Sequence, residues 1–152
     1  MVQIYVDADA CPVRDECVKV AQRNGVMLYM VSDGGIRPHK DPQIHLVIVA
    51  PGPDAADHWI ATQITRNDIV VTSDIKLAAG CIKSGAVALK PNGEILTESN
   101  IGPAEANRDL MTMLREAGEV TGGPRPFKNQ DRSTFSSALE TAVQKGLQKN
   151  CS

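Results

Sequence analysis

The sequence predicts one α/β domain of three layers, in which a mostly parallel central sheet lies between two layers of helices. Short, continuous apolar runs, which are typical of buried parallel strands, alternate with stretches whose apolar residues recur at helical spacing. This alternation is typical of strands joined by right-handed crossovers, which place helices on the faces of a sheet. The 152 residues suffice for a single domain with its own core. We expect residues from about 119 to 152 to form a C-terminal extension packed on that domain.

The strands are predicted from five apolar runs and one return segment. A turn with the sequence Pro-Asn-Gly-Glu separates the last two, so that these two should be antiparallel. The predicted strands cover residues 4–6, 26–31, 45–49, 68–72, 86–89 and 95–97.

The helices are predicted from apolar residues three and four positions apart and from the residues that end helices. Gly25 stands where the first helix would have its C-cap, and Ile60 and Ile64 continue a buried stripe along the second. The predicted helices cover residues 12–24, 54–65, 75–84, 103–117 and 133–148, with Lys145, Lys149 and the final residues frayed. The Gly- and Pro-containing segments 34–43 and 122–128 are predicted to be loops.

Composition narrows the classes of function. The formal net charge of -2 excludes the strongly basic profile of proteins that bind nucleic acid through bulk charge. With only 3% aromatic residues, stacking on aromatic rings is not expected to be a major binding mode. The cysteines show no CxxC pair, and no secretory signal or membrane-length apolar stretch is present, so we expect reduced thiols in a cytoplasmic protein.

Acidic side chains lie at the predicted carboxyl ends of two strands. Asp7 and Asp9 follow the first strand, and Asp74 follows the fourth; Asp57 lies in the first turn of the second helix, at the same end of the sheet. Ligands of open α/β sheets bind at this end, so we expect the four carboxylates to converge. The alternative for each is structural, because an aspartate there also caps a helix or is favoured by the helix dipole.

Converging carboxylates predict a metal site. Their mutual repulsion in a partly buried cleft is relieved by a hard cation, and carboxylates with water molecules are the ligands that Mg²⁺ or Mn²⁺ accept. A metal held in this way activates water and stabilises the transition state of phosphoryl chemistry.

Three segments of the chain carry distinctive motifs. They are residues 6–13 (Val-Asp-Ala-Asp-Ala-Cys-Pro-Val), residues 68–74 (Asp-Ile-Val-Val-Thr-Ser-Asp) through Leu77-Ala78, and Gly123-Pro124 with Phe127, Asp131-Arg132 and Phe135. Together these segments resemble the YaiI/YqxD family of small, largely uncharacterised bacterial proteins. The resemblance covers nearly the whole chain, and its motifs are specific.

This family is in turn similar to PIN-domain nucleases, which implies a PIN-like fold and a metal-dependent phosphodiesterase acting on nucleic acid, RNA more than DNA. In that comparison Asp7, Asp57 with Ile60, and Asp74 in the Thr72-x-Asp74 turn bind Mg²⁺ or Mn²⁺. PIN nucleases usually carry a further Glu on a middle helix, and no Glu occurs between residues 31 and 57 here. Asp9 is the candidate substitute for that ligand.

Six side chains are candidate substrate contacts. Strand-end hydroxyl groups can hydrogen-bond a ligand or orient a water molecule, and cationic groups in the 34–43 loop and on the helices can contact a phosphate. Each of the cations has solvation at the surface as its ordinary alternative. The six are Thr72, Ser73, Arg37, Lys40, Lys76 and Arg108.

Two alternatives to the nuclease remain open. The Asp-x-Asp after an apolar strand is also the signature of haloacid-dehalogenase-type phosphatases, in which Asp7 would be the nucleophile and Asp9 a general acid. The other alternative is a non-catalytic RNA-binding module that keeps the fold and uses cations such as Arg132. The sequence does not predict an oligomeric state.

Overall fold

The computed structural model describes residues 2–8, 11–34, 40–50, 55–102 and 129–150. Six strands in this part of the chain form one sheet in the order β3-β2-β1-β4-β5-β6. The strands are β1 (Gln3–Asp7), β2 (Met27–Ser32), β3 (Ile44–Ile48), β4 (Ile69–Val71), β5 (Val87–Leu89) and β6 (Ile95–Leu96). β1 to β5 are parallel to one another, and β6 returns antiparallel to β5, as the sequence predicts.

Helices cover both faces of the sheet, which confirms the three-layer α/β prediction. The helices are α1 (Arg14–Asn24), α2 (Ala55–Gln63), α3 (Ile75–Lys83), α4 (98–102) and α5 (Asn129–Asn150). Because side chains alternate along a strand, Ile4 and Val6 point to the layer of α1 and α5, whereas Tyr5 points to the layer of α2 and α3. None of the helices in the described ranges is long and apolar enough to cross a membrane.

The predicted helix stripes and caps are largely confirmed. Gly25 ends α1 with a φ of 66°, the left-handed conformation that glycine adopts at little cost. Ile60 and Ile64 are buried in the α2 layer. α1 begins at Arg14 rather than at the predicted Pro12, and its N-cap residue, Val13, supplies no side-chain cap.

The last helix differs from its prediction at both ends. α5 begins at Asn129 and continues to Asn150, so the predicted fraying around Lys145 is wrong. Nothing in the sequence after residue 146 breaks a helix, and an acid in its first turn, Asp131, favours the earlier start. Phe135 is fully buried in one core with α1 and β1. The predicted helix 103–117 and loop 122–128 lie outside the described residues.

The strand order defines one crevice. From β1 the chain first builds outward through β2 and β3, and then crosses back to place β4 on the other side of β1. The two connections that leave the carboxyl ends of β1 and β4 therefore diverge. Such a switch point is where open α/β sheets bind their ligands.

Candidate functional site

The crevice between β1 and β4 contains two of the predicted aspartates, and one threonine hydroxyl connects them. Thr72 lies directly after β4, and its Oγ1 donates a hydrogen bond to Oδ2 of Asp7 at the end of β1, over 3.3 Å. The same Oγ1 accepts the backbone N–H of Asp74 over 3.0 Å. Thr72 is only 2% exposed, so its hydroxyl is held in place. Asp7 and Asp74 are thereby fixed on either side of one buried group.

Asp74 is a helix cap whose second oxygen remains available. Its Oδ1 accepts the backbone N–H groups of Lys76 at 2.9 Å and Leu77 at 3.3 Å, which confirms the structural alternative considered from the sequence. Within the described residues, Oδ2 of Asp74 has no hydrogen-bond partner. Capping therefore orients this carboxylate through Oδ1 and leaves Oδ2 for a ligand.

Asp57 does not join the other two in a cluster, contrary to the expected convergence. Among the described residues, no three His, Cys, Asp or Glu side chains lie together in a group that could hold a metal ion. The charge of Asp57 instead affects a thiol of α3, that of Cys81. Burial, and then the charge of Asp57, raise the pKa of the Cys81 thiol to about 12. Asp9 lies outside the described residues.

A buried thiol pair that sequence reasoning did not single out adjoins Asp7. A hydrogen bond from Cys17 lowers the pKa of Cys11, and the charge of Arg14 acts in the same direction, whereas burial and the charge of Asp7 oppose it. Cys17 is fully buried, and burial raises the pKa of its own thiol well above the usual value. Only their spacing across the start of α1 could have indicated the pair, because neither residue belongs to a CxxC motif.

The structure describes four of the six predicted substrate contacts, including Thr72. Ser73 and Lys76 are exposed beside the crevice, at the start of α3, and Lys40 is exposed just before β3. Arg37 and Arg108 lie outside the described residues.

Arg132, the cation considered for RNA binding, has a structural role. Its Nη1 donates to the carbonyl of Pro12 over 2.6 Å and lies 3.5 Å from Oε1 of Glu16. These contacts fasten the start of α5 to the start of α1.

A second aspartate at the opposite end of β4 was not recognised as important from the sequence. Oδ1 of Asp68 accepts the backbone N–H of Gln3 over 3.1 Å. Its Oδ2 accepts both the N–H and the hydroxyl of Thr65, over 2.9 and 2.8 Å. Asp68 is 1% exposed, and these bonds tie the amino ends of β1 and β4 together.

The few aromatic residues are concentrated on the α2 side of the sheet. Tyr29 stacks on Tyr5 on one side and on His45 on the other, with ring centroids 5.1 Å apart in both pairs. Trp59 of α2 leans over Tyr5 and Tyr29 at 6.0 and 6.2 Å. Tyr5 is 4% exposed, so the inner end of this stack belongs to the core.

The donor atoms in the crevice are chemically suited to a hard cation. Asp7, Thr72 and Asp74 present carboxylate and hydroxyl oxygens only. Mg²⁺ is usually held by one or two carboxylates, with water molecules and substrate phosphates completing its coordination. Two carboxylates at a switch point therefore fit such an ion, whereas the four-carboxylate site expected from the sequence is not formed by the described residues.

Comparison with known proteins gives matches along almost the whole chain. Residues 5–145 match a family model described as "Uncharacterized BCR, YaiI/YqxD family". A UPF0178 protein of Azorhizobium caulinodans is 52% identical over 142 residues, which cover 93% of this chain and 89% of the relative. UPF0178 proteins of Rhodopseudomonas palustris and Cereibacter sphaeroides are each 53% identical, covering 97% of this chain and 96% and 92% of the relatives. No solved structure matches the chain.

Proposed function

This chain belongs to the YaiI/YqxD family, and we propose that it is a Mg²⁺- or Mn²⁺-dependent phosphodiesterase that cleaves nucleic acid, RNA in preference to DNA. The geometry of its own residues supports the metal-dependent chemistry, and the resemblance to PIN nucleases supports the preference for RNA. One observation carries the proposal: Asp7 and Asp74 flank the Thr72 hydroxyl in the switch-point crevice. These are two of the three positions that underlie the resemblance to PIN nucleases, the third being Asp57 with Ile60, and we propose a PIN-like domain on that basis.

The proposed metal ligands are Asp7 and the uncapped oxygen of Asp74. A bound cation would supply an activated water molecule and would neutralise charge on the scissile phosphate. Thr72 positions the Asp7 carboxylate by donating to Oδ2, and the α3 N–H groups position Asp74 through Oδ1. Both carboxylates are therefore oriented before any ligand arrives.

The start of α3 is suited to hold the phosphate. Ser73 directly precedes the Asp74 N-cap and Lys76 lies in the first turn of the helix. Both are exposed, so a hydroxyl donor and an ammonium group lie on either side of the cap. The positive end of the helix dipole favours an anion at the same place. These groups recognise a phosphate and not a base sequence, which favours cleavage with little sequence preference.

The proposal is tested by measuring Mn²⁺-dependent cleavage of a fluorescent single-stranded oligoribonucleotide by the full chain and by Asp7→Asn and Asp74→Asn. Loss of a carboxylate ligand removes several kcal/mol of transition-state stabilisation, so each variant should cleave at least about 100-fold more slowly. Asparagine caps a helix as well as aspartate does, so Asp74→Asn separates the charge from the cap. Titration of Mn²⁺ into each variant should show weakened binding in parallel.

Glu98→Gln is the matched control, because Glu98 is an exposed carboxylate at the other end of the sheet and should leave cleavage unchanged. Equal activity in all three variants would refute the proposed site. RNA that binds without turnover in Mn²⁺ would indicate the non-catalytic module, and a phosphorylated Asp7 trapped from a phosphomonoester would indicate the phosphatase.

A further inference from the structure

The two edges of the sheet differ in how they are protected against pairing with another strand. At one edge, β6 has only two residues, and the turn before it carries an ion pair between Lys90 and Glu94 at 3.2 Å. At the other edge, β3 has five residues, Ile-His-Leu-Val-Ile, without a charge or a proline. Short and charged edges resist pairing, whereas long, uncharged and apolar edges invite it.

The outer edge of β3 presents backbone groups that no strand in the described ranges pairs with. The bonds between β2 and β3 include Leu28 N–H to the Gln43 carbonyl and Val49 N–H to the Ser32 carbonyl, both over 2.9 Å. In a parallel pair, alternate residues face the neighbour, so Leu46 and Ile48 direct their N–H and C=O groups away from the sheet. Within the described chain, no residue pairs with those groups.

The side chains along this edge are exposed as well. Ile48 is 66% exposed, the larger of the two exposed fractions among big apolar side chains in the described residues. His45 is exposed on the opposite face of the strand. Within the described part of the chain, this edge is therefore open both in its backbone and in its side chains.

We propose that β3 pairs antiparallel with β3 of a second copy of this chain, across a two-fold axis through Leu46, so that the two sheets become continuous. The strand is self-complementary about that residue: Ile48 lies opposite Ile44 of the second copy, and His45 lies opposite Val47. Both pairs bring together side chains without like charges. A two-fold arrangement also satisfies the outward N–H and C=O of Leu46 with the same groups of the second copy.

The expected association is weak. A pair of five-residue strands buries less than the roughly 1,200 Å² typical of stable interfaces. The chain should therefore exchange between monomer and dimer at concentrations on the order of tens of micromolar. This inference is independent of the proposed cleavage activity, because β3 contributes no residue to the crevice.

The test is sedimentation of the full chain across a concentration series, with a charge introduced at each edge in turn. Ile48→Lys should raise the dimer dissociation constant at least about tenfold, because an ammonium group would lie against Ile44 of the second copy. Ile48 is exposed, so the lysine leaves the monomer fold intact. Ile95→Lys at the β6 edge, where Ile95 is 38% exposed, is the matched control and should leave the dissociation constant unchanged.

Cysteine cross-linking tests the register. Leu46→Cys should give a disulfide-linked dimer on mild oxidation, because residues paired across the axis have Cα atoms about 5.5 Å apart. Ile48→Cys should not, because its two copies would be separated by four residue positions, about 13 Å. A chain that stays monomeric throughout leaves the edge to a strand from another protein and overturns the proposal. A dimer that survives Ile48→Lys overturns it equally.

Discussion

At the amino end of the β1–β4 pair, both oxygens of Asp68 are occupied by three donors and the side chain is 1% exposed. At the carboxyl end, Asp74 uses one oxygen to cap α3, and Asp7 accepts from Thr72 in a crevice. The three carboxylates are thus held in different ways within one pair of strands. A carboxylate with both oxygens held by buried donors stabilises the fold, whereas Asp74, which is oriented through one oxygen, can also bind a ligand.

Asp68→Asn should have the largest effect on stability. An amide in place of the carboxylate presents an NH₂ group either to the N–H of Gln3 or to that of Thr65, so one buried donor faces another. We expect the free energy of unfolding to fall by about 2 to 3 kcal/mol, measured by urea denaturation. A loss below about 0.5 kcal/mol would show that water satisfies the donors of Gln3 and Thr65 in the variant. The two ends of the β1–β4 pair would then not differ in how much their carboxylates stabilise the fold.

Two glycines allow a second comparison between the two ends of the sheet: one packs against the start of α5, and the other lies near the end of that helix. At the carboxyl end of β5, a Cβ on Gly93 would lie 2.7 Å from Cγ2 and 2.9 Å from the backbone carbonyl carbon of Thr134, and its φ of 92° is strained for any other residue. At the amino end of the sheet, a Cβ on Gly146 would lie 2.7 Å from Cγ2 of the fully buried Val2, but Gly146 lies within α5, where alanine carries no φ strain and has the higher helix propensity.

Gly93→Ala should therefore cost about 2 kcal/mol or more, and Gly146→Ala about half as much. Thermal denaturation of the two variants side by side measures the difference. If Gly146→Ala proves the more harmful, α5 is anchored chiefly at the amino end of the sheet.

Alkaline pH should weaken the amino end and the α3 layer. Burial, and then the charges of Asp68 and Tyr29, raise the pKa of Tyr5 from 10.0 to about 12, and burial raises that of Cys81 from 9.0 to about 12. Above pH 9 the unfolded chain releases these protons before the folded chain does. The stabilisation that depends on the two neutral groups is therefore fully present below pH 9 and is lost between pH 9 and 12. The slope should be on the order of 1 kcal/mol per pH unit for each group.

Urea denaturation at pH 8 and pH 11 measures this loss, and Asp68→Asn should reduce the part due to Tyr5. A free energy of unfolding that does not change between the two pH values would contradict the assigned burial of both groups.

Asp7→Asn and Asp74→Asn should have the smallest effects on stability, within about 0.5 kcal/mol of the parent chain. Asparagine still accepts the Thr72 hydroxyl at position 7, and it caps α3 at position 74. Denaturation of these variants beside Asp68→Asn completes the comparison. A loss as large as that of Asp68→Asn would assign the carboxyl-end pair a structural role.

Much of the fold follows from local sequence signals. The buried faces of α2 and α3, the C-cap at Gly25 and the β5–β6 return each depend on neighbouring residues, and each is confirmed. The packing of α5 does not follow, because Phe135 and Leu139 are buried against α1 and β1, which are distant in the sequence.

In the candidate site, too, some features follow from local sequence and others depend on distant parts of the chain. The strand-end positions of Asp7 and Asp74 could be read from the apolar runs before them. The bridging role of Thr72 and the separate position of Asp57 depend on how β1, β4 and α2 approach one another in space. The apolar residues that follow Asp68 predict that it lies in the fourth strand, and only its distant partner Gln3 identifies it as a tie between strands.

The ring stack gives the molecule an internal optical reporter. Trp59 is the only tryptophan of the chain, and it lies 6.0 and 6.2 Å from both of its tyrosines. Light absorbed by Tyr5 and Tyr29 should therefore pass to the indole, and tyrosine emission should be quenched in the folded protein. When α2 leaves the sheet, tyrosine fluorescence should recover. The docking of that one helix can thus be timed separately from the melting of α1 and α5 on the opposite face.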